Sequence, residues 1–173
     1  MKNLIIVCSI VFLCLLGFYF FVLKPETYVQ TDLYDEILKR DYINVGINVD
    51  AKPFGFVDKK GEIQGYDADL ARYVAQFILH DPAKVHFVPV TPSNRMLKVS
   101  TDEVDIVIAT MTITPQRQEI IDFSVPYDTA GQSLLVKSSS KITSLAELNG
   151  QNVGVIWGTT AEKNLPNLLP NAH

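Results

Sequence analysis

The stretch Val104-Asp105-Ile106-Val107-Ile108-Ala109-Thr110-Met111-Thr112-Ile113-Thr114-Pro115-Gln116-Arg117 carries two structural signals in succession. Val104–Ala109 is a near-continuous apolar run of strand length, the pattern of a parallel strand covered on both faces. Thr114 followed by Pro115 is a helix start: the threonine oxygen caps an orphan amide, and proline at the first position loses no hydrogen bond. Between strand and helix, the hydroxyls of Thr110, Thr112 and Thr114, free backbone N–H groups and Arg117 collect where an open α/β sheet binds its ligands. A guanidinium there suits a carboxylate, because its planar fork grips both oxygens. On these residues alone, a solvated helix start and an anion site stand as equal readings.

Working outward, Ile43, Val45 and Ile47 alternate in a strand over Ile43–Val49 that Asp50-Ala51-Lys52-Pro53 interrupts. Asp58-Lys59-Lys60-Gly61 is a turn, and Gly65-Tyr66-Asp67 opens a helix whose apolar stripe is Leu70, Val74, Phe77 and Ile78. Asp67 and Asp69 read as that helix's cap and first-turn charge, without a ligand role. Val85–Val90 is a second strand and Ser93–Ser100 a short helix. Asp122 and Tyr127 read as scaffold. Downstream, the pattern predicts a strand at Gly131–Lys137, a helix at Ser144–Leu148, a strand at Asn152–Ile156 and a last helix opened by Gly158-Thr159-Thr160. Strand and helix alternate throughout, so the fold class is α/β.

Of the 173 residues 47% are hydrophobic and 20% charged, which supports a folded core and excludes a disordered tail. A net charge of −4 argues against a nucleic-acid partner, which needs a basic face. The two cysteines, Cys8 and Cys14, exclude a disulfide framework and a cysteine-rich zinc site. His80, His86 and His173 have no metal-ligand spacing, and no serine or cysteine stands in a nucleophile elbow. The expectation is a protein without metal, cofactor or catalytic residues, and not an enzyme. At the N-terminus, Lys2 precedes the uncharged run Leu4–Leu23. That run has the length of about 20 residues needed to cross a bilayer and lacks an A-x-A cleavage site. Residues 1–25 are therefore expected to be a signal-anchor in preference to a cleaved signal peptide, with the bulk of the chain outside the cytoplasm. Residues 26–42 read as a linker and a short helix, with Leu33, Ile37 and Leu38 at helical spacing.

Taken in order, Val45-Gly46-Ile47, Pro53-Phe54-Gly55-Phe56, Gly65-Tyr66-Asp67-Ala68-Asp69-Leu70-Ala71, Val104-Asp105-Ile106, Thr112-Ile113-Thr114-Pro115-Gln116-Arg117 and Asp122-Phe123-Ser124-Val125-Pro126-Tyr127 resemble the extracellular solute-binding proteins of family 3, the polar-amino-acid receptors of ABC importers. The resemblance runs from about Ile43 to Thr160. It implies a periplasmic-binding-protein-like (type II) two-lobe clamshell: lobe 1 over 43–130, a hinge strand at 131–140, and the start of a truncated lobe 2 over 141–173. It implies an exported protein, periplasmic or at the outer face of the cytoplasmic membrane, with an ABC transporter permease as partner and no cofactor.

By position, the resemblance gives Arg117 the ligand α-carboxylate, with Thr112 beside it. Thr110 supplies a carbonyl to the α-ammonium, and the helix start at Thr159 and Thr160 adds amides to the carboxylate. Asn94-Arg95 resembles the pair of the aspartate/glutamate-binding branch, in which Arg95 faces the ligand side chain; an exposed Arg on a short helix is the competing reading. Asn48 stands where several relatives have Asp, which weakens an ammonium contact. Ala51 replaces an aromatic, and Ile156 replaces a lysine of glutamine-binding relatives, which speaks against glutamine. The chain resembles the first two-thirds or so of such a receptor. A polar or acidic amino acid is the expected ligand, aspartate or glutamate favoured, with a membrane receptor's sensing domain or a non-functional fragment as alternatives.

Overall fold

The computed structural model describes residues 32–173; the expected anchor lies outside the described residues. The first helix, α1 (Leu33–Arg40), buries Ile37 alone, and Leu33 and Leu38 stay exposed. It leads into β1 (Ile43–Ile47), where Val45 and Ile47 are 0% exposed. A three-stranded antiparallel meander follows: β2 (Asp50–Ala51), β3 (Gly55–Val57) and β4 (Ile63–Gln64). The expected turn before β4 is held by Asp58, whose carboxylate accepts from the Lys60 and Glu62 amides at 2.8 and 3.0 Å. Helix α2 (Tyr66–Leu79) then carries the chain to β5 (Val85–Pro89). The short α3 (Arg95–Ser100) carries it on to β6 (Ile106–Val107), and α4 (Pro115–Gln118) comes next.

Strands β5, β1 and β6 form a parallel sheet in the order β5-β1-β6. Ile43 pairs with Val85 and Ile47 with Pro89 on one side of β1; Val45 pairs with Ile106 on the other. The chain leaves β1 for one flank and returns on the opposite flank. The carboxyl ends of β1 and β6 therefore border a topological switch point, where open α/β sheets form their ligand crevice.

The core joins Ile37, Ile43, Val45 and Ile108 to Ala71, Ala75 and Leu79 of α2. The buried face of α2 is Asp67, Ala68, Ala71, Ala75 and Leu79. Of the stripe expected from the sequence, Leu70, Val74 and Ile78 pack at its margin, whereas Phe77 is 77% exposed. Alanines carry little weight in a hydrophobic pattern, yet they let a helix approach a sheet closely, so the true face is rotated from the one the large side chains mark. Asp67 is a second correction. Gly65 is the N-cap, with φ of 117°, and Asp67 lies one residue inside the helix with its carboxylate turned into the core.

The C-terminal part departs further from expectation. Neither Gly131–Lys137 nor Asn152–Ile156 forms a strand: among the described residues the hinge strand expected at 131–140 joins no sheet, and the second has only the exchange in which Val153 donates to the His173 carbonyl at 2.8 Å and His173 to the Gln151 carbonyl at 2.9 Å. Leu145–Leu148 is a single 3-10 turn after Ser144, with the Glu147 carboxylate accepting from the Ser144 amide at 3.1 Å. The last helix, α5 (Thr160–Leu168), starts where predicted, with Thr159 as its N-cap, and buries no side chain.

Candidate functional site

Asn48 follows β1 and Ala109-Thr110 follows β6, so the two meet across the switch point. The Asn48 side chain is buried and donates to the Ala109 carbonyl at 3.2 Å and to the Thr110 hydroxyl at 3.1 Å. Arg95 is also buried, at 3% exposed, and its Nη1 donates to the same Ala109 carbonyl. The reading of Arg95 as a solvated residue on a short helix is thereby excluded. Thr110 has a φ of 50°, and its amide donates to the Tyr127 hydroxyl at 3.1 Å.

Arg117 stands on α4, whose start is built as the sequence predicts: the Thr114 hydroxyl caps the Arg117 amide at 3.3 Å and Pro115 is the first helical residue. Arg117 as a whole is 5% exposed. Its Nη1 donates to the Thr112 carbonyl at 2.6 Å and its Nη2 to the Gly158 carbonyl at 3.0 Å. Thr112 thus serves Arg117 through its backbone. Thr159 and Thr160 are adjacent to the site, but their hydroxyls are engaged by the protein: Thr159 accepts from the Glu162 amide at 3.3 Å within its own turn, and Thr160 accepts from the distant Gln132 at 2.8 Å. The link from this segment to Arg117 is the Gly158 carbonyl.

Two residues read as scaffold lie at the centre of the electrostatics. Asp67 is 0% exposed, and neither carboxylate oxygen meets a donor at hydrogen-bonding geometry. Burial pushes its pKa up, with the Tyr127 hydroxyl and the Thr110 amide opposing. Burial and then the Asp67 charge raise the Tyr127 hydroxyl to about 12. Burial, and next the Arg117 charge, lower Arg95 to about 10, against Tyr127 and Asp67. Arg117 is lowered by burial. The sequence signal for Asp67 was Gly65: a glycine already placed to cap the helix leaves the following aspartate free for another role. Tyr127 had no such local signal, because its partner Thr110 is remote in sequence.

Residues 43–171 match the Bacterial extracellular solute-binding proteins, family 3. The chain belongs to this family. Its fold is the α/β fold of the type II periplasmic amino-acid-binding proteins, of which this chain covers only part. The glutamine-binding protein of Geobacillus stearothermophilus is 37% identical over 152 residues, covering 87% of this chain and 58% of that protein. The chain therefore spans less than two thirds of that family member. An ancestral amino acid-binding protein, a precursor of cyclohexadienyl dehydratase, superposes with a TM-score of 0.76 at 43% identity, over 82% of this chain and 63% of that one. A mutant of the arginine-bound form of domain 1 from the T. maritima arginine-binding protein superposes with a TM-score of 0.53 at 38% identity, over 57% of this chain and 74% of that one.

Proposed function

We propose that this chain holds the α-carboxylate of a free polar amino acid on Arg117, as part of an exported receptor that delivers the amino acid to an ABC importer. The observation behind this reading is a charge imbalance. Among the described residues two arginines are buried, Arg95 and Arg117, and of the two buried carboxylates Asp105 is paired with Arg40, which leaves Asp67 alone beside them. Asp67 acts as electrostatic partner to Arg95. Arg117 donates to two neutral carbonyls and has no acidic partner among the described residues. A buried charge without a counter-charge is unfavourable, and a ligand carboxylate supplies one in a geometry the fork accepts. In this reading the Thr110 carbonyl takes the α-ammonium, Asn48 holds Thr110, and Thr112 with the Thr159-Thr160 segment frames Arg117. Membership of a solute-binding family supports reading the protein as a binder.

The same count bears on specificity. The missing charge is one carboxylate, because Arg95 already has Asp67 and the Ala109 carbonyl. A neutral side chain therefore fits better than the dicarboxylate expected from Arg95, and glutamine leads, as the name of the Geobacillus relative supports. The name of the Geobacillus relative outweighs the replacement of a lysine at Ile156. The arginine-bound domain 1 of a relative supports testing the chain as it stands. In calorimetry on the full chain, glutamine should bind ahead of aspartate and glutamate. Arg117→Ala should weaken it by about 2–5 kcal/mol, the loss of a desolvated charge partner. No binding of glutamine, glutamate, aspartate or cysteine, or binding indifferent to Arg117→Ala, overturns the reading.

The run Leu4–Leu23 supports membrane tethering of this receptor at the outer face. Cells expressing the chain should retain it in the membrane fraction at its unprocessed mass; a soluble, shortened product shows cleavage instead.

A further inference from the structure

Four non-glycine residues among the described ones have positive φ: Asp41, His80, Asp102 and Thr110. The first three follow the C-terminal ends of helices, where a left-handed residue is routine. Thr110 instead follows a strand, and it is β-branched, for which this conformation is a true outlier. Such a residue persists only where its surroundings over-determine it, and outliers of this kind cluster at ligand clamps. Thr110 is held from three sides. Asn48 donates to its hydroxyl at 3.1 Å, Asn48 and Arg95 both donate to the carbonyl that precedes it, and its own amide donates to the Tyr127 hydroxyl at 3.1 Å.

The Tyr127 oxygen accepts from Thr110, which leaves the hydroxyl proton to be donated elsewhere. Asp67 is the acidic group beside it, fully buried, with neither carboxylate oxygen at hydrogen-bonding geometry to a donor. A buried carboxylate at the start of a helix has no reason to face the core for the helix's sake, since an outward carboxylate would serve the helix dipole better. Its position makes sense as the acceptor that orients Tyr127.

Granting the amino-acid site above, we propose that Tyr127 and Asp67 are positioning residues of that site: the Tyr127 hydroxyl, oriented by Asp67, locks the Thr110 peptide in its left-handed conformation beside Arg117 and so sets how strongly the site takes the α-ammonium. In this proposal the Tyr127 hydroxyl, which accepts from the Thr110 amide, turns its proton toward the Asp67 carboxylate and so couples the start of α2 to the loop after β6. Neither residue touches the amino acid; each acts through Thr110.

The test uses the isotope-labelled full chain as wild type, Tyr127→Phe and Asp67→Asn. The first readout is amide exchange. Tyr127→Phe should lower protection at Thr110 about tenfold, the worth of one hydrogen bond, with Ile47 in the core unchanged; unaltered Thr110 protection overturns the lock. The second compares glutamine with glutaramate, which is glutamine without its amino group. Wild type should prefer glutamine, and Tyr127→Phe should compress that preference about tenfold while glutaramate binding stays within about twofold. An equal loss for both compounds would make Tyr127 a purely structural residue and leave the amino-acid site standing. Failure of both compounds to bind wild type overturns the site itself and this role with it. If Tyr127→Phe does not fold, Asp67→Asn decides: it keeps the shape of the side chain but removes the charge, and an unchanged glutamine-to-glutaramate ratio counts against the proposal.

Discussion

The segment from β1 to Tyr127 and the segment from Gly131 to His173 are written in similar sequence language, alternating apolar strands with capped helices, yet they are held in different ways. In the first, Val45, Ile47, Ala68, Ala71 and Ala75 are 0% exposed and pack between a parallel sheet and a helix. In the second, Leu135 is 100% and Trp157 74% exposed, while Leu148 and Leu169 are the only buried apolar side chains. Much of the order of the second segment comes from local polar devices, namely the Glu147 carboxylate on the Thr143 and Ser144 amides, the Thr159 cap and the Gly158 amide on Glu162 at 2.8 Å, with backbone bonds tying Gln151 and Val153 to His173. Strand-forming sequence yields a strand only where another strand offers the ladder. Capping motifs need nothing beyond their own turn.

The largest expected effect follows from that contrast. Ile47→Ala removes a fully buried side chain from the centre of the sheet and should cost about 2–5 kcal/mol in urea denaturation. Leu135→Ala, equally apolar but fully exposed, should stay within about 0.5 kcal/mol of wild type. Comparable losses from the two would show that the second segment has a packed core of its own and would break the comparison.

What the sequence made legible divides along the same line. β1, the turn at Asp58, the α4 start at Thr114-Pro115 and the α5 start at Thr159 were readable because each is set by its own residues. Arg117 was readable for the same reason, as the arginine of a helix start at a sheet's carboxyl end. Arg95 was open between two readings because burial is a tertiary fact: its place is fixed by the Ala109 carbonyl, fourteen residues away on another element. Asp67 was misread because an aspartate near a helix start looks the same whether its carboxylate turns out to the amides or in to the core. The strands expected at Gly131–Lys137 and Asn152–Ile156 were over-read, since alternation records suitability for a pleated surface and not the presence of a neighbour.

Gly158 is where the two segments meet, and the next effect in size belongs there. Its φ is 80°, and a Cβ would lie 2.5 Å from the Pro92 carbonyl oxygen and 2.8 Å from Ser93 Cα. Alanine is excluded both by conformation and by space. Gly158→Ala should therefore introduce strain of roughly 1–3 kcal/mol and part the Gly158 carbonyl from Arg117. Limited proteolysis should then cut the 131–173 region faster while the urea midpoint of the sheet is retained. An unchanged cleavage pattern would mean that contacts other than Gly158 fasten the second segment to the first.

The smallest effect sharpens the comparison within the second segment itself. Thr159 caps α5 by accepting from the Glu162 amide, and replacing such a cap by alanine typically costs about 1 kcal/mol. Glu162 reaches back to the Gly158 amide, so part of the cap survives in Thr159→Ala. Because α5 buries no side chain, packing does not carry the loss to the sheet. Amide protection over residues 162–168 should fall about fivefold, the equivalent of about 1 kcal/mol, with Val45 and Ile47 unaffected. Thr159→Ser keeps the accepting oxygen and should restore most of the protection. A drop shared by α5 and the central strand would instead show that the two segments unfold together, and that the helix's local capping is coupled to the core through the Gly158–Arg117 contact.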